Sequence, residues 1–246
     1  MRKINCLVCG NESVLLRKLK ESIVYKCKSC ELEFCNPMPS QEMLDRFYSS
    51  YVDVRANPRI VTKNARKNTE NLGRKHGLSP NHYLLDFGCG DNLFVKSSHS
   101  LNWVGYDKYT SPEFPEGEFD FITLWGVLEH LTSPVETITD LNRKLKTKGK
   151  LVITTVGTDT KIPYQYKFPE HVTWWSNSSI ERLLGECGIE LKEISSYFMF
   201  QTPEVYLTCV LNAGKVPDDL KKRITFNRKR DVYVPTNEIF IVGEKK

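Results

Sequence analysis

From residue 83 onward the chain alternates short apolar runs with helically spaced apolar positions. Tyr83-Leu84-Leu85-Asp86-Phe87 runs into Gly88-Cys89-Gly90, residues 103–107 end on Asp107, and residues 119–125 are almost wholly apolar. Each run has the length of a strand buried on both faces. Helical stretches lie between and after them. Ser133-Pro134-Val135-Glu136 carries three start signals: a serine cap, a proline in the first turn, and a glutamate three residues after the cap. Val135, Ile138, Leu141 and Leu145 then share one face. Ser178 opens a further helix that Gly188 closes, and strands are expected at 151–156, 190–200 and 238–242. This alternation predicts an α/β fold with a doubly wound, mostly parallel sheet and helices on both faces.

The first eighty residues follow other rules. Ser40 can cap a helix on which Leu44, Phe47, Tyr48 and Tyr51 recur at i, i+3, i+4 and i+7. A second helix is expected from Pro58 to His76, ended by Gly77. Its apolar stripe (Val61, Ala65, Leu72) is thin and basic residues crowd the rest, which is ordinarily a solvated face. The chain therefore divides into residues 1–39, a helical linker over 40–80, and the sheet domain over 81–246.

Residues 1–39 hold the clearest chemistry. Cys6-Leu7-Val8-Cys9 and Cys27-Lys28-Ser29-Cys30 form the pattern C-x2-C-x17-C-x2-C. Each two-residue gap lets two thiolates reach one ion from a tight turn, and four thiolates complete tetrahedral zinc with no open position. Cys6, Cys9, Cys27 and Cys30 are thus expected to hold a structural zinc; paired disulfides or free thiols are the alternative. Cys35, Cys89, Cys187 and Cys209 show no such pairing and read as small hydrophobes.

Composition narrows the classes. The 246 residues are 40% hydrophobic and 26% charged, an ordinary globular balance. No run reaches the roughly 18 apolar residues of a membrane helix; Pro203 and scattered polar residues break the nearest, 194–214. The N-terminus offers a cysteine pair where a secretion signal needs an apolar stretch, so a cytoplasmic protein is expected. Charge is uneven: residues 1–75 carry fifteen basic and eight acidic side chains, residues 76–214 eleven and seventeen, residues 215–246 nine and five. Basic ends on an acidic middle suit an anionic partner, although each segment alone is ordinary surface.

In an open α/β sheet, ligands sit beyond the carboxyl ends of the strands. There the first run ends Asp86-Phe87-Gly88-Cys89-Gly90-Asp91-Asn92, and Asp107 ends the next. The glycines allow close backbone approach to a ligand, and a carboxylate at 107 can accept ribose hydroxyls. A dinucleotide site would need a third glycine where Leu93 stands, which weakens a pyrophosphate reading.

Several segments together carry a resemblance. Residues 84–90 (LLDFGCG), 119–134 (FDFITLWGVLEHLTSP), 145–153 (LKTKGKLVI) and 171–176 (HVTWWS) with the following Cys187-Gly188-Ile189 are similar to the motifs of class I S-adenosylmethionine-dependent methyltransferases. The cysteine module ahead of them, with the tyrosines of 47–51, resembles a bacterial subgroup with an N-terminal zinc ribbon that often modifies glycans and other small molecules. The resemblance spans about residues 4–200.

It implies roles position by position. Asp86, Gly88 and Gly90 would line the methionine end of the cofactor S-adenosylmethionine, Asp107 would hold the ribose hydroxyls, and Trp125 and Gly126 would border the methyl group. Asn92 departs from the usual glycine, and residues 108–118 are too short for a full third strand and helix. A hydroxyl acceptor needs a general base, for which His171 and then His130 are candidates; both could instead be packing or loop histidines. Glu129 reads more simply as a helix-start charge. Tyr48, Tyr51 and Trp174 are candidates for the acceptor site, the tryptophan pair being core or pocket wall. The expected function is O-methylation of a sugar, glycolipid precursor or other small metabolite. An RNA methyltransferase suits the ribbon and basic ends, but Leu124-Trp125-Gly126-Val127 is not the Asn/Asp-Pro-Pro-Tyr/Phe of base-amine methylation. A cofactor-binding module without turnover is the third reading.

Overall fold

Eleven strands, five helices and a single 3-10 turn make up the described part of the chain, and they form two sheets. The computed structural model describes residues 4–49, 57–98, 101–160, 166–207 and 230–246. The N-terminal cysteine pattern builds β1 (Ile4–Asn5), β2 (Glu12–Lys18), β3 (Ile23–Cys27) and β4 (Glu33–Asn36), an antiparallel meander. Helix α1 (Gln41–Ser49) follows, with the Ser40 hydroxyl accepting from the Met43 N–H at 3.2 Å. Helix α2 (Pro58–His76) then starts at an Asn57 cap and ends at Gly77 in the left-handed region, as its sequence predicts.

The larger sheet contains β5 (Tyr83–Phe87), β6 (Asn102–Tyr106), β7 (Phe119–Trp125), β8 (Leu145–Val156), β10 (Ile189–Gln201) and β11 (Val232–Lys245), in the order β10-β11-β8-β7-β5-β6. β6, β5, β7 and β8 are parallel neighbours; β11 and β10 add antiparallel. The short helix α3 (Leu93–Lys96) follows β5, α4 (Pro134–Lys144) connects β7 to β8, and α5 (Asn177–Glu186) precedes β10. Apolar runs fit this sheet because both faces are covered. Leu85, Ile122, Leu124, Leu151 and Ile153 join the core with α4 and α5, while Leu84, Phe121 and Val152 join a second core with Leu72 of α2. Between Tyr106 and Phe119 no strand or helix forms among the described residues, only a bridge from Asp107 to Ser111.

Three expectations shift locally. Ser133 makes no side-chain cap bond, so the expected capping box of α4 is absent. The box belongs to α5 instead: Ser176 caps it and Ser179 returns the bond, two residues before the predicted start at Ser178. β8 begins at Leu145, not at 151, passing through Lys148 at φ 64°.

The N-terminal sheet has a fifth strand from far along the chain. β9 (Thr173–Trp174) pairs antiparallel with β4, Glu33 opposite Trp174 and Phe34 opposite Thr173. Cys6, Cys27, Cys30, Leu32 and Phe34 consequently share one continuous core with Leu85, Ile122 and Leu183. Ser176 and Ser178, at the start of α5, both donate to the carbonyl of Cys30 at 3.0 Å.

Trp174 is fully buried in this seam and packs on Tyr166 with ring centroids 4.6 Å apart. That corrects its placement as an acceptor-binding residue: neither face of its ring reaches solvent. Truncation, Trp174→Ala, should lower unfolding free energy by about 3–5 kcal/mol in chemical denaturation. A loss below about 1 kcal/mol would mean that the seam is not a structural contact.

Candidate active site

β5 lies where the strand order reverses, with β6 on one side and β7 on the other, so the crevice beyond their carboxyl ends is where this fold accepts a ligand. Gly88 opens the turn at φ 78°. A side chain there would meet the Val127 methyl at 2.5 Å, so glycine is required both by the backbone and by close approach. Gly90 follows at φ 52° and Asn92 at φ 62°. The Asp107 carboxylate receives the Gly90 N–H at 3.2 Å and the Tyr109 and Thr110 N–H groups at 2.8 and 3.1 Å. Carboxylate oxygens accept several bonds each, so hydroxyl donors can still be added.

Asp86 sits below this turn, 3% exposed, and accepts from the Thr123 hydroxyl at 2.7 Å. Burial pushes its carboxyl up to about 7, against the pull of the Thr123 bond; the nearby Asp107 adds to the rise. Gly105 lies beside Asp86 in β6, and a side chain on it would overlap Asn92 and Cys89. Sequence reading passed over Gly105; its only signal is a glycine inside a strand pattern. Trp125 turns away toward Phe94 and Tyr197, at centroid distances of 5.0 and 6.4 Å, and its indole N–H has no hydrogen-bond partner. Gly126 takes φ 64° just past it, with its N–H bonded to the Thr154 carbonyl and hydroxyl.

This bend leads into the 3-10 turn Leu128–His130. Glu129 stands in the first turn of this element, where a helix-start charge is expected, but it is buried. It is 3% exposed, accepts from the Thr155 hydroxyl at 2.8 Å, and is pushed up to about 8 by burial and then by the charges of Glu238 and Glu170. His130 and His171, forty-one residues apart, meet edge to face with ring centroids 5.1 Å apart. Two hydrogen bonds bring them together. The Val172 N–H donates to the Glu129 carbonyl at 2.9 Å, and the Cys35 N–H donates to the Val172 carbonyl at 2.8 Å. His171 is thereby clamped between the 3-10 turn and the N-terminal sheet. Desolvation holds His130 neutral, at about 4.

Tyr48 reaches this cluster from α1. Its hydroxyl lies 2.9 Å from His130 Nδ1, and its ring stacks on Tyr109 at 4.8 Å. Further contacts from α1, Lys108 to Gln41 at 2.9 Å and Tyr109 to Asp45 at 3.2 Å, lay the helix over the loop that follows Asp107. Tyr51 lies outside the described residues.

The other candidate cluster lies apart. Cys6 and Cys30 place their sulfurs 3.6 Å apart, Cys9 and Cys27 3.5 Å, and all four lie within 4.8 Å of one another. The N–H of Val8 points at the Cys6 sulfur, and those of Ser29 and Cys30 at the Cys27 sulfur, at 3.3–3.4 Å. Amide bonds of this kind stabilise thiolate charge, so the donor set fits a four-thiolate zinc.

The family profile described as "Methyltransferase domain" matches residues 55–194, more than half of the chain. The chain belongs to this methyltransferase family. Its fold is the Rossmann-like fold of class I S-adenosylmethionine-dependent methyltransferases, with a zinc-ribbon-like module at the N-terminus. The crystal structure of 1,6-didemethyltoxoflavin-N1-methyltransferase from Burkholderia thailandensis, with bound 1,6-didemethyltoxoflavin and S-adenosylhomocysteine, is similar at TM-score 0.53 and 13% identity, over 94% of this chain and 99% of that one. A SAM-dependent methyltransferase from Aquifex aeolicus is similar at TM-score 0.50 and 15% identity, over 78% and 95%. In sequence, a tRNA U34 carboxymethyltransferase from Aliarcobacter butzleri (strain RM4018) is 40% identical over 68 residues, 28% of this chain; the match spans about a fifth of that relative's length, 21%. No helix among the described residues is long and apolar enough to cross a membrane.

The Asp86 environment in this methyltransferase has a pH signature. A carboxyl at about 7 in the folded state, against roughly 4 unfolded, contributes stability that is complete below pH 4 and is lost as pH rises through 7. Urea unfolding of the ligand-free protein should therefore show Asp86→Asn gaining on wild type between pH 5 and pH 8, by about 2–4 kcal/mol. Parallel pH profiles for the two proteins would place the Asp86 carboxyl in a wetter setting.

Proposed function

We propose that this chain transfers the methyl group of S-adenosylmethionine to a hydroxyl oxygen of a small acceptor, a saccharide or related metabolite. The observation that carries the acceptor chemistry is the Tyr48–His130–His171 cluster at the carboxyl end of the sheet, beside the glycine turn. The cofactor fits the residues present. A buried carboxyl with one hydroxyl partner, Asp86, suits the cationic methionine end. Gly88 and Gly90 keep the turn open for close approach, and Asp107 offers its remaining lone pairs to ribose hydroxyls. Gly126 borders the methyl group through its backbone.

When bound, the cofactor supplies an electrophilic methyl on a sulfonium. The protein aligns the acceptor oxygen with it, chiefly a proximity effect. As the acceptor oxygen is methylated, Tyr48 would receive its proton and pass its own to His130 Nδ1, 2.9 Å away. His130 leads here because Tyr48 touches it and its side chain is 21% exposed; His171, at 10%, stands behind it as support. This reverses the order expected from the sequence alone.

The partial likeness to a tRNA-modifying enzyme favours one second reading, in which the acceptor is RNA. Incubating cell extract with methyl-labelled cofactor separates the readings. Label in small metabolites supports the proposal; label in RNA replaces it; cofactor binding with no label in any fraction leaves a binding module. With an acceptor in hand, His130→Ala should cut turnover by about 10²–10⁴-fold with cofactor affinity nearly intact, and His171→Ala should do less. Asp107→Ala should weaken cofactor binding by about 1–3 kcal/mol in calorimetry; unchanged affinity would move the ribose elsewhere.

Zinc at Cys6, Cys9, Cys27 and Cys30 belongs to the same proposal. Elemental analysis of protein purified without chelator should find one zinc per chain, lost in Cys27→Ser. Because the β4–β9 pairing ties the ribbon to His171, that variant should lose turnover as well as metal. Full turnover without zinc would uncouple the two.

A further inference from the structure

The imidazole pair has a third neighbour that the proton transfer does not use. One ligand atom each from Glu129, His130 and His171 lies within 4.8 Å of the others, the only such group besides the four cysteines among the described residues. One carboxylate and two imidazoles are a donor set for zinc and other first-row divalent ions, with a position left open. We propose that Glu129, His130 and His171 form a second, exchangeable site for a divalent transition-metal ion, and that filling it switches off the proton transfer proposed above.

Three features carry this. Two ligands already have their far atoms held. The Thr155 hydroxyl fixes Glu129 Oε2, and Tyr48 engages His130 Nδ1, so Glu129 Oε1 and His130 Nε2 face each other at 4.0 Å. Such outer partners orient metal ligands. A tetrahedral ion with bonds near 2.0–2.1 Å separates its ligand atoms by about 3.3 Å, so a modest side-chain rotation closes the site. Second, Glu170 and Glu238 add carboxylates around Glu129, while Lys167 acts on His130. A dication relieves that repulsion. Third, the site is sheltered: Glu129 and His171 are 3% and 8% exposed.

The switch follows from the tautomer. A proton acceptor at Nδ1 carries its own proton on Nε2. A metal at Nε2 requires the opposite form, in which Nδ1–H donates to Tyr48 and has no lone pair to receive a proton. Metal binding and proton transfer are therefore exclusive at His130. This part rests on the proposed proton transfer; the metal site itself does not.

The test titrates Co²⁺ into full-length protein whose cysteine site is already loaded with zinc. Expected is one equivalent of Co²⁺ with visible d–d bands, while elemental analysis still finds one zinc. Glu129→Gln, a near-isosteric change, and His171→Ala should each lose that equivalent and keep the ribbon zinc, and Tyr48→Phe should bind about tenfold more weakly. Absence of a Co²⁺ equivalent in wild type, or its survival in both variants, overturns the site. Methyl transfer, where it is measurable, should fall in step with Co²⁺ occupancy and recover with a weak chelator that leaves the ribbon zinc. Turnover unchanged at full occupancy overturns the switch alone. Co²⁺ bound at these residues in a chain that transfers no methyl group to any acceptor supports the metal site and sinks the proposed activity instead.

Discussion

Two consecutive residues, Thr173 and Trp174, hold the molecule's two sheets together. By pairing with Glu33 and Phe34 they make a strand of the N-terminal sheet out of the chain that leads into α5. Everything flanking that strand is fixed as a result. On one side His171 is set against His130; on the other, Ser176 and Ser178 reach the carbonyl of Cys30. A module of about forty residues could not bury enough surface alone. Here it need not, because Leu32 and Phe34 enter the same core as the parallel sheet. The cysteine cluster thus stabilises the structure on which the imidazole pair depends.

Burial then decides the electrostatics. Asp86 and Glu129 are both nearly inaccessible carboxyls with a single threonine donor each, Thr123 and Thr155, from neighbouring strands. A buried carboxyl without a counter-charge shifts toward its neutral form. Both therefore suit a neighbouring cation, as proposed above for the methionine end of the cofactor at Asp86 and for a metal ion at Glu129. Thr123 and Thr155 lie on the neighbouring strands β7 and β8 but face opposite sides of the sheet, since Thr123 is the register partner of Val152, three residues before Thr155.

The legible part of this structure was that which depends on short-range chemistry. The strand at 83–87, the run at 119–125 and the helix from Pro58 to His76 stand where their patterns put them, because each is decided by local spacing and a cap. The cysteine quartet was legible for the same reason. Trp174 and Glu129 were not. Trp174 reads as core or pocket wall until its pairing with Glu33, 141 residues away, buries it in the seam, and Glu129 reads as a helix-start charge until burial and the Thr155 hydroxyl define it. The displaced cap of α5 has a similar cause: the serines near its start are recruited by Cys30, a partner no local window contains.

The cofactor turn and the imidazole cluster meet through one side chain. Val127 precedes the 3-10 turn that carries Glu129 and His130, and its methyl occupies the space that a side chain at position 88 would fill. The glycine at 88 is thus shaped by two demands, the open turn on one side and Val127 on the other. Gly126, with its positive φ and its N–H tied to Thr154, sets the direction in which the chain leaves β7 toward that contact. A shift of Val127 cannot be absorbed locally, since densely packed groups transmit displacement. It would move together the glycine turn proposed to hold the cofactor and the imidazole proposed to receive the proton. In a displacement whose rate depends on alignment to within a fraction of an ångström, such rigid coupling would carry a shift at either site to the other.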